Sequence, residues 1–133
     1  MNISVKKLKK IPVKNGDVLK IINKKEDNFK GFGEVYFSRI DFGSIKAWKR
    51  HLSMHMNLVV PVGKVKFNFI IDNKHETLII GEDNYCIISV PPGIWFGFQG
   101  LKDNNLVLNF SDIIHDDSEV ERAPTDKFLF KYL

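Results

Sequence analysis

The stretch Lys64-Val65-Lys66-Phe67-Asn68-Phe69 alternates strictly between polar and apolar side chains. This period of two is typical of a β-strand, whose successive side chains point to opposite faces of a sheet. We therefore expect the valine and the two phenylalanines to face the protein core. The stretch before it, 57–62, is mostly apolar, and Gly63 separates the two. Two strands joined at one glycine are the starting point for the fold.

Similar short strands are predicted on both sides of this pair. Upstream, residues 34–40 alternate, with Val35 and Phe37 on one face and Tyr36 on the other, and 45–51 follow after a turn. Downstream, apolar or alternating runs are separated by turn-forming Asn, Asp, Gly and Pro. These downstream runs are 77–80, 85–90, 94–99 and 106–110.

The N-terminal part of the chain carries a hairpin signal. Two mostly apolar stretches, 11–14 and 18–22, flank the dipeptide Asn15-Gly16. Asn-Gly is the pair that most readily takes the positive φ angles of a two-residue hairpin turn. We therefore predict a short hairpin at the start of the domain.

The number and spacing of the strands indicate the fold class. About eight to ten short strands, roughly eight to twelve residues apart, are typical of an antiparallel sandwich or barrel. No long helical period, internal repeat or linker interrupts the pattern, so we predict an all-β protein with one domain over residues 1–133. A chain of 133 residues can bury a core without metal or disulfide support. The single cysteine, Cys86, lies in an apolar run and is expected to be buried.

Charge is distributed unevenly along the chain, although the net charge is only +4. Lysines crowd residues 6–30, whereas residues 112–126 are acidic. Lysines of this kind usually form a solvated face, and no nucleic-acid-binding motif follows them. We therefore expect no nucleic-acid partner. An anionic small molecule such as a nucleoside diphosphate suits the basic balance equally well.

The sequence also bears on location. No apolar run approaches the ~20 residues needed to span a membrane, and the lysine-rich start is not followed by the apolar core of a signal peptide. One cysteine cannot form an internal disulfide. We therefore expect a cytoplasmic protein without a membrane partner.

Two stretches look like landmarks rather than ordinary strands. They are Gly43-Ser44-Ile45-Lys46-Ala47-Trp48-Lys49-Arg50-His51 and Val90-Pro91-Pro92-Gly93-Ile94-Trp95-Phe96-Gly97-Phe98. They resemble the two conserved blocks of the cupin superfamily. Within it, the chain is similar to dTDP-4-dehydrorhamnose 3,5-epimerases and the short proteins related to them. The similarity runs from about residue 33 to residue 122 and rests on the segments 33–38, 46–51, 57–63, 91–93 and 114–122.

The resemblance implies both a fold and a biological setting. The fold is the cupin jelly roll, a double-stranded β-helix, here with a short N-terminal hairpin and usually present as a homodimer. The setting is nucleotide-sugar metabolism for surface polysaccharide or glycan biosynthesis, with a nucleotide sugar as the small-molecule partner. The reaction class is epimerisation or isomerisation of a 4-keto sugar, for which we expect no cofactor.

Metal-binding cupins hold their ion with four residues of the two conserved blocks. The corresponding positions here are Lys49, His51, Met56 and Phe96. A stable site needs three or four N, O or S donors, and one imidazole among four positions does not meet that need. We therefore expect no metal site.

The resemblance also places the catalytic positions, and here the chain departs from the family. The family's basic histidine corresponds to Lys49, its proton-donating tyrosine falls near Leu108, and a histidine of its proline-turn block is Phe96. The carboxylate that partners the base lies beyond the aligned region. Two candidate bases remain: His51, and Lys49 if burial beside a basic neighbour lowers its pKa. The plainer alternatives are that Lys49 binds an anion and that His51 is a hydrogen-bonded residue inside the barrel.

Six further residues are candidates for substrate binding. They are Lys46, Trp48, Arg50, Asn57, Trp95 and Asn109. The two cations are expected to engage a diphosphate, and the resemblance assigns a phosphate contact to the position of Lys46. Each tryptophan either stacks on a base or sugar or packs in the core. Each asparagine either hydrogen-bonds a sugar hydroxyl or is an ordinary surface amide.

Two functions from different classes are consistent with these residues. The first is a nucleotide-sugar epimerase or isomerase in which Lys49 or His51 moves the proton. The second is a non-catalytic cupin that binds a sugar or nucleotide sugar, having lost the family's catalytic histidine and tyrosine. The paired cupin blocks favour the first function, whereas the substitutions at Lys49, Leu108 and Phe96 favour the second.

Overall fold

The fold is seen in a computed structural model, which describes residues 2–128. Within this range the chain forms twelve β-strands and two 3₁₀ turns, Asp117–Glu119 and Thr125–Lys127. The strands are β1 (Ser4–Lys7), β2 (Lys10–Ile11), β3 (Val18–Leu19), β4 (Glu34–Arg39), β5 (Ile45–His51), β6 (Met56–Val62), β7 (Lys64–Ile71), β8 (Lys74–Gly81), β9 (Cys86–Val90), β10 (Trp95–Gly100), β11 (Leu106–Ser111) and β12 (Val120–Arg122).

The strands are arranged in two five-stranded sheets and one two-stranded hairpin. Sheet I has the strand order β1-β9-β6-β11-β4, and sheet II has the order β12-β5-β10-β7-β8. Neighbouring strands run antiparallel in both sheets. Their inner faces share one apolar core. This arrangement confirms the predicted all-β cupin jelly roll with an N-terminal hairpin.

Gly63 is the point at which the chain crosses from sheet I to sheet II. It separates β6 of sheet I from β7 of sheet II. Its φ angle is 85°, a left-handed conformation that favours glycine. A Cβ atom at this position would collide with the carbonyl oxygen of Asn104. The glycine therefore permits two long strands to follow one another in different sheets.

The core lies between the two sheets and is built from alternating strand positions. Phe67 and Phe69 of β7 are fully buried, as the alternation of 64–69 predicts. Their rings stack with centroids 6.1 Å apart. They share one cluster with Leu58 and Val60 of sheet I. The aromatic face of β7 therefore lies in the core as predicted, whereas Lys66 and Asn68 on its opposite face are buried as well.

Strand β4 turns its polar side, not its apolar side, toward the space between the sheets. Tyr36 and Ser38 line that space, whereas Val35 and Phe37 are exposed on the outer face. β4 lies at an edge of sheet I and pairs only with β11. At this edge the interior is therefore lined by polar groups instead of being filled by apolar side chains.

The predicted hairpin at the N-terminus is confirmed, with strands shorter than the sequence indicates. β2 and β3 pair over two residues each, Lys10 with Leu19 and Ile11 with Val18. Asn15 and Gly16 have the expected positive φ angles, 74° and 148°. They do not form a two-residue turn, however, because residues 12–17 separate the paired strands and the Gly16 N–H donates to the carbonyl oxygen of Val13 at 3.0 Å.

The connection between β7 and β8 is tighter than the sequence pattern indicates. A polar turn over 72–76 is the expectation, yet residues 74–76 pair with β7. Only Asp72 and Asn73 remain in the turn, with φ angles of 51° and 63°. Two residues at positive φ suffice to reverse a hairpin, and both Asp and Asn tolerate that conformation.

Strands β1 and β12 have no counterpart among the sequence predictions. β1 pairs with β9 at an edge of sheet I, and β12 pairs with β5 at an edge of sheet II. β1 is short and mostly exposed, and β12 has only three residues, two of them half-buried, so neither carries a period that predicts a buried face. β12 is important for function because it places residues 119–122 beside β5.

A single domain over 1–133 remains a prediction, since Met1 and residues 129–133 lie outside the described residues. Between residues 2 and 128 there is no helix long and apolar enough to cross a membrane. The thiol of Cys86 is buried and free, which confirms its predicted burial.

Candidate active site

A cavity of about 440 Å³ lies between the two sheets. Strands β4, β6 and β11 of sheet I line one wall, β5 and β10 of sheet II line the other, and Arg122 of β12 is at the rim. Its size falls within the ~300–1,000 Å³ of typical small-molecule sites. The cavity is therefore the candidate active site.

His51 lines this cavity and forms a hydrogen-bonded pair with Glu119. His51 is the last residue of β5, and its side chain is buried. Its Nδ1 lies 2.6 Å from Oε2 of Glu119. Glu119 ends the 3₁₀ turn that precedes β12, and the next residue, Val120, is the register partner of His51. The pairing of β12 with β5 therefore places the carboxylate beside the imidazole.

The Glu119 carboxylate is held by the backbone as well as by His51. Its Oε1 accepts the backbone N–H of Met54 at 2.9 Å and that of Ser53 at 3.3 Å. Burial raises the pKa of Glu119, but the hydrogen bonds from His51 and from these two N–H groups outweigh it, and the pKa lies below its usual value. Glu119 is therefore ionised at neutral pH.

His51 is placed to act as a neutral base. Burial lowers the pKa of His51 and outweighs the opposing effect of Glu119. Because an ionised carboxylate can only accept a hydrogen bond, Nδ1 carries the hydrogen and Nε2 carries the lone pair. Among residues 2–128, no hydrogen-bond partner of Nε2 is found. The ring stacks on Phe96 with centroids 6.1 Å apart, which holds its plane.

Three cationic side chains line the same cavity: Lys46, Lys49 and Arg122. Lys49 and Arg122 are register partners across β5 and β12. Burial, and then the positive charge of Arg122, lower the pKa of Lys49. Lys46 donates from Nζ to the carbonyl oxygen of Arg39 at 2.6 Å. Cations gathered in one place can bind a diphosphate. For Lys49, both predicted roles, base and anion ligand, remain compatible with this position.

The four positions that correspond to the metal ligands of cupins all line the cavity. They are Lys49, His51, Met56 and Phe96. Their convergence agrees with the alignment of the two cupin blocks onto β5 and β10. In the part of the chain that the structure describes, no three His, Cys, Asp or Glu side chains are grouped so that they could hold a metal ion.

The ring of Trp48 does not face the cavity, although the residue borders it. Trp48 is almost fully buried. Its ring meets that of Phe128 edge-on at 5.3 Å, and its Nε1 donates to the carbonyl oxygen of Thr125 at 3.0 Å. The segment after β12 therefore covers this tryptophan, and packing is the role that the geometry supports.

Arg50 and Trp95 also lie away from the cavity, contrary to the expectation that they bind substrate. The Arg50 guanidinium pairs with Glu121 at 2.5 Å and lies 4.7 Å from the centre of the Trp95 ring. The physical reason is the alternation of β5, which turns Lys49 and His51 inward and therefore Arg50 outward. Lys49 and Arg50 are adjacent on β5 and therefore face opposite sides of the sheet, so that Lys49, and not Arg50, can contact a ligand in the cavity.

The two predicted asparagines are separated by the structure. Asn109 of β11 lines the cavity, and its Nδ2 donates to Oη of Tyr36 at 3.0 Å. Asn57 is buried outside the cavity, where its Nδ2 donates to the carbonyl oxygen of Asn28 at 2.9 Å and its Oδ1 accepts from Ser89 Oγ at 2.5 Å. Asn57 is thus a satisfied internal amide, and only Asn109 stays in the candidate site.

Leu108, which corresponds to the family's tyrosine, also points away from the cavity. It packs with Val59, Tyr85 and Ile87 in a second apolar cluster. Its chain neighbours on β11, Val107 and Asn109, face the cavity instead.

Three residues of the candidate site were missed by sequence reasoning: Tyr36 and Arg122, which line the cavity, and Glu119, which contacts His51. The sequence did contain a signal for Tyr36, because the alternation of β4 places it on the face opposite Val35 and Phe37. Glu119 and Arg122 lie in a 3₁₀ turn and a three-residue strand, which are too short to show a period. A carboxylate partner for the base was expected beyond the aligned region, whereas Glu119 within that region contacts His51.

Comparison with known proteins gives one curated relative at significant similarity. No protein-family model matches the chain. The probable low-salt glycan biosynthesis epimerase Agl13 of Haloferax volcanii is 30% identical to it over 102 residues. The match covers 68% of this chain and 65% of the length of that protein.

Solved structures with the same fold extend this comparison. The crystal structure of a dTDP sugar isomerase from Desulfovibrio desulfuricans G20 matches with a TM-score of 0.88 and 34% identity, over 94% of this chain and 85% of that chain. The sugar 3,4-ketoisomerase QdtA from Thermoanaerobacterium thermosaccharolyticum, in complex with TDP, matches with a TM-score of 0.81 and 20% identity, over 92% and 88% of the two chains. The first similarity extends to the sequence, whereas the second concerns the fold.

Proposed function

We propose that this chain, which belongs to the family of dTDP-sugar isomerases and epimerases with the cupin fold, rearranges a 4-keto sugar carried on a nucleoside diphosphate. One observation carries the proposal: His51 lines the cavity and is paired through Nδ1 with the carboxylate of Glu119, which leaves Nε2 as the unprotonated nitrogen. Epimerisation and isomerisation of a 4-keto sugar both begin with removal of a proton from the carbon next to the carbonyl. A dTDP nucleotide and a role in glycan biosynthesis are supported by the names of two relatives.

The proposed chemistry needs one base and a means of stabilising its charged form. Nε2 of His51 takes the proton from the carbon next to the carbonyl, and the C–H electron pair forms a C=C bond while the carbonyl oxygen gains the negative charge. The imidazolium that results is stabilised by the ionised carboxylate of Glu119. Return of a proton to the opposite face of the same carbon inverts it. Return to the former carbonyl carbon moves the keto group, provided that the hydroxyl proton on the first carbon passes to the former carbonyl oxygen.

The diphosphate of the substrate is proposed to lie against the cations of the cavity. Lys46, Lys49 and Arg122 line it together, and Lys49 and Arg122 face each other across β5 and β12. A bound diphosphate would reduce the repulsion between these two cations. We therefore assign Lys49 to anion binding and the proton transfer to His51, because only His51 has a carboxylate hydrogen-bonded to it.

The non-catalytic alternative is not favoured. It rested on the loss of the family's histidine at the position of Lys49 and of its tyrosine near Leu108. His51, however, supplies a buried base that already has its carboxylate partner. The relatives reported above are also named as an epimerase and an isomerase.

We further propose that the enzyme is a homodimer. Support comes from apolar side chains on the outer side of sheet I around β4, where Phe32 and Phe37 are 62% and 59% exposed and Val35 is 47% exposed. An edge strand with an exposed apolar face is a ready surface for a partner chain. A second copy of this chain is the partner that the family resemblance implies.

We place the enzyme in the cytoplasm. Its one cysteine, Cys86, is a free buried thiol, which is compatible with a reducing compartment. Cell fractionation followed by immunoblotting of the native protein checks this location, and recovery outside the cytoplasmic fraction would contradict it.

Thermal unfolding against a nucleotide panel is the first test of the proposed function. A ligand that binds only the folded state raises the melting temperature. We expect dTDP and dTDP sugars to raise it more than UDP, GDP or CDP and their sugars. The second test is incubation with dTDP-4-keto-6-deoxyglucose in D2O, where the enzyme should place deuterium on a carbon next to the carbonyl. The absence of any shift together with the absence of exchange would contradict the proposal.

A further inference from the structure

We propose that Tyr36 is a second catalytic residue, which gives its phenolic proton to the 4-keto oxygen while His51 removes the carbon-bound proton. This inference rests on the proposed function and deepens it. Tyr36 belongs to β4 of sheet I, and His51 belongs to β5 of sheet II. Both line the same cavity. A ligand between the sheets can therefore contact both side chains.

The hydrogen bonding of Tyr36 fixes the direction in which its hydroxyl can donate. Asn109 is its register partner on β11, and Asn109 Nδ2 donates to Oη of Tyr36 at 3.0 Å. The same Nδ2 lies 3.7 Å from Sδ of Met54, which is also an acceptor, so the amide presents its nitrogen to both. Within residues 2–128 no acceptor is bonded to the Tyr36 hydroxyl. Its hydrogen is therefore available to a ligand in the cavity.

The other end of the Asn109 amide points to the same conclusion. Asn109 is 3% exposed, and its Oδ1 is buried with no hydrogen-bond partner among the described residues. A buried acceptor without a donor is unfavourable. A sugar hydroxyl beside the carbonyl would satisfy it. Tyr36 and Asn109 thus form a polar pair suited to two neighbouring oxygens of a sugar, one that accepts and one that donates.

The proposed step balances without a cofactor. The C–H bond next to the carbonyl breaks, its electron pair forms the C=C bond, and the C=O π pair moves to the oxygen. That oxygen takes the hydrogen of Tyr36, which gives an enol, a phenolate and an imidazolium. The Asn109 Nδ2–H stabilises the phenolate through the bond that it already makes to Oη. When the phenolate later removes a proton from an enol oxygen, the carbonyl forms again and His51 returns its proton to carbon.

The test compares Tyr36→Phe with the wild type and with His51→Gln, using dTDP-4-keto-6-deoxyglucose in D2O. Tyr36→Phe should lower kcat and the exchange rate by about 100-fold or more, the usual contribution of one proton-transfer group. KM should stay within about threefold of the wild-type value, since the hydroxyl is not a nucleotide contact. For the same reason, the rise in melting temperature on addition of dTDP should stay within about one degree of the wild-type rise. A role in structure alone would instead change the melting temperature or KM.

A matched control and a second variant keep the inference falsifiable. Tyr85→Phe removes another hydroxyl, buried in the apolar cluster outside the cavity, and should leave kcat unchanged. If Tyr36→Phe does not fold, Asn109→Ala, which removes the donor to Oη together with the Oδ1 acceptor, should lower kcat by about tenfold. Two results would overturn this inference alone. One is deuterium exchange that needs His51 but proceeds at the wild-type rate in Tyr36→Phe, and the other is an unchanged kcat in Asn109→Ala. No exchange by the wild type would overturn the proposed function instead.

Discussion

Nδ1 of His51 lies 2.6 Å from Oε2 of Glu119, although 68 positions separate the two residues in the chain. The carboxylate fixes which ring nitrogen carries the hydrogen, and thereby which one holds the lone pair. Glu119 is in turn held by the backbone N–H groups of Met54 and Ser53, at the loop that follows His51. The proposed base and its partner are therefore positioned by the same short segment, and we expect a change in either to affect both catalysis and stability.

Replacing His51 is expected to abolish turnover without removing the ability to bind dTDP. His51→Gln should lower kcat by at least ~100-fold, because no other imidazole lines the cavity within the described residues. The measurement is product formation and deuterium exchange with a dTDP 4-keto sugar. His55→Gln is the matched control, since His55 is a half-buried histidine that lies outside the cavity. Equal activity of His51→Gln and His55→Gln would show that His51 is not the base.

Replacing Glu119 by Gln should lower kcat by about 100-fold, since the neutral amide no longer stabilises the imidazolium and can present an N–H to Nδ1. It should also lower the free energy of unfolding by about 2 kcal/mol, the typical size of hydrogen bonds to a charged group. Steady-state kinetics and urea unfolding measure the two effects separately. Glu121→Gln is the control, because Glu121 contacts Arg50 on the outer face. A kcat for Glu119→Gln close to that of the control would contradict the assigned role.

The pH dependence of activity should follow the protonation of His51. Burial lowers the pKa of this histidine below its usual 6.5. We therefore expect kcat/KM to be constant near neutral pH and to fall on the acid side, with its midpoint below 6.5. Measurements from pH 5 to 8 in a constant-ionic-strength buffer test this. A midpoint well above 6.5 would point to Lys49, whose pKa is lowered from 10.5, as the base.

Stability should fall with acid for the same reason. Burial lowers the pKa of both His51 and His55. The unfolded chain therefore binds more protons than the folded protein once the pH drops below the usual histidine value of 6.5. By linkage, the stability of the fold is lost progressively from about that pH down to the folded pKa values. The pKa of Glu119 is also lowered, so its contribution is present above its usual 4.5 and is lost as the pH falls through its folded value.

Melting temperatures between pH 4 and 8 measure this acid sensitivity. His51→Gln and His55→Gln should each flatten the part of the curve just below 6.5, because each removes one group that is neutral when folded. A melting temperature that is unchanged, or higher, between pH 6.5 and 5 in the wild type would contradict the lowered pKa values.

Arg122 and Arg50 lie on adjacent strands and offer a direct test of which face binds the diphosphate. Arg122 lines the cavity opposite Lys49, whereas Arg50 is paired with Glu121 on the outer face. Arg122→Met should raise KM by about tenfold, or ~1.4 kcal/mol of binding, more at low salt than at high salt. Arg50→Met should leave KM unchanged. Should Arg50→Met raise KM more than Arg122→Met, the predicted role of Arg50 would be restored and the geometry assigned here would be wrong.

The proposed homodimer can be tested on β4. Phe37→Lys places a charge on the exposed apolar face and should shift the protein from dimer to monomer in light scattering coupled to size exclusion. Leu52→Lys changes another exposed apolar residue, at the end of β5, and should leave the mass unchanged. A wild type that elutes as a monomer at all concentrations would contradict the proposal.

The fold follows from local patterns in the sequence to a large extent. The alternation of 64–69, the Asn15-Gly16 turn and the regular spacing of the strands each predict elements that the structure contains. Such patterns are informative because a strand that packs one face against an apolar core places apolar side chains at every second position. β1 and β12 show no such alternation in the sequence, so they could not be predicted from it.

The site is different, because its residues come together only through pairing between distant strands. The sequence identified His51, Lys49, Lys46 and Asn109 as candidates, and all four line the cavity. It equally identified Arg50, Asn57 and Trp95, since residue type alone does not say which face a side chain takes. One residue of register moves a side chain from the cavity to the outer face.

By itself the sequence thus determined the all-β jelly roll, the family and the strand that carries both candidate bases, Lys49 and His51. Only the tertiary structure decided that Glu119 is the partner of His51, that Arg122 instead of Arg50 faces the cavity, and that Tyr36 meets Asn109. The physical reason is the range of the interactions. Burial patterns act on neighbours along the chain, whereas a catalytic pair depends on hydrogen-bond register between strands that the sequence places far apart.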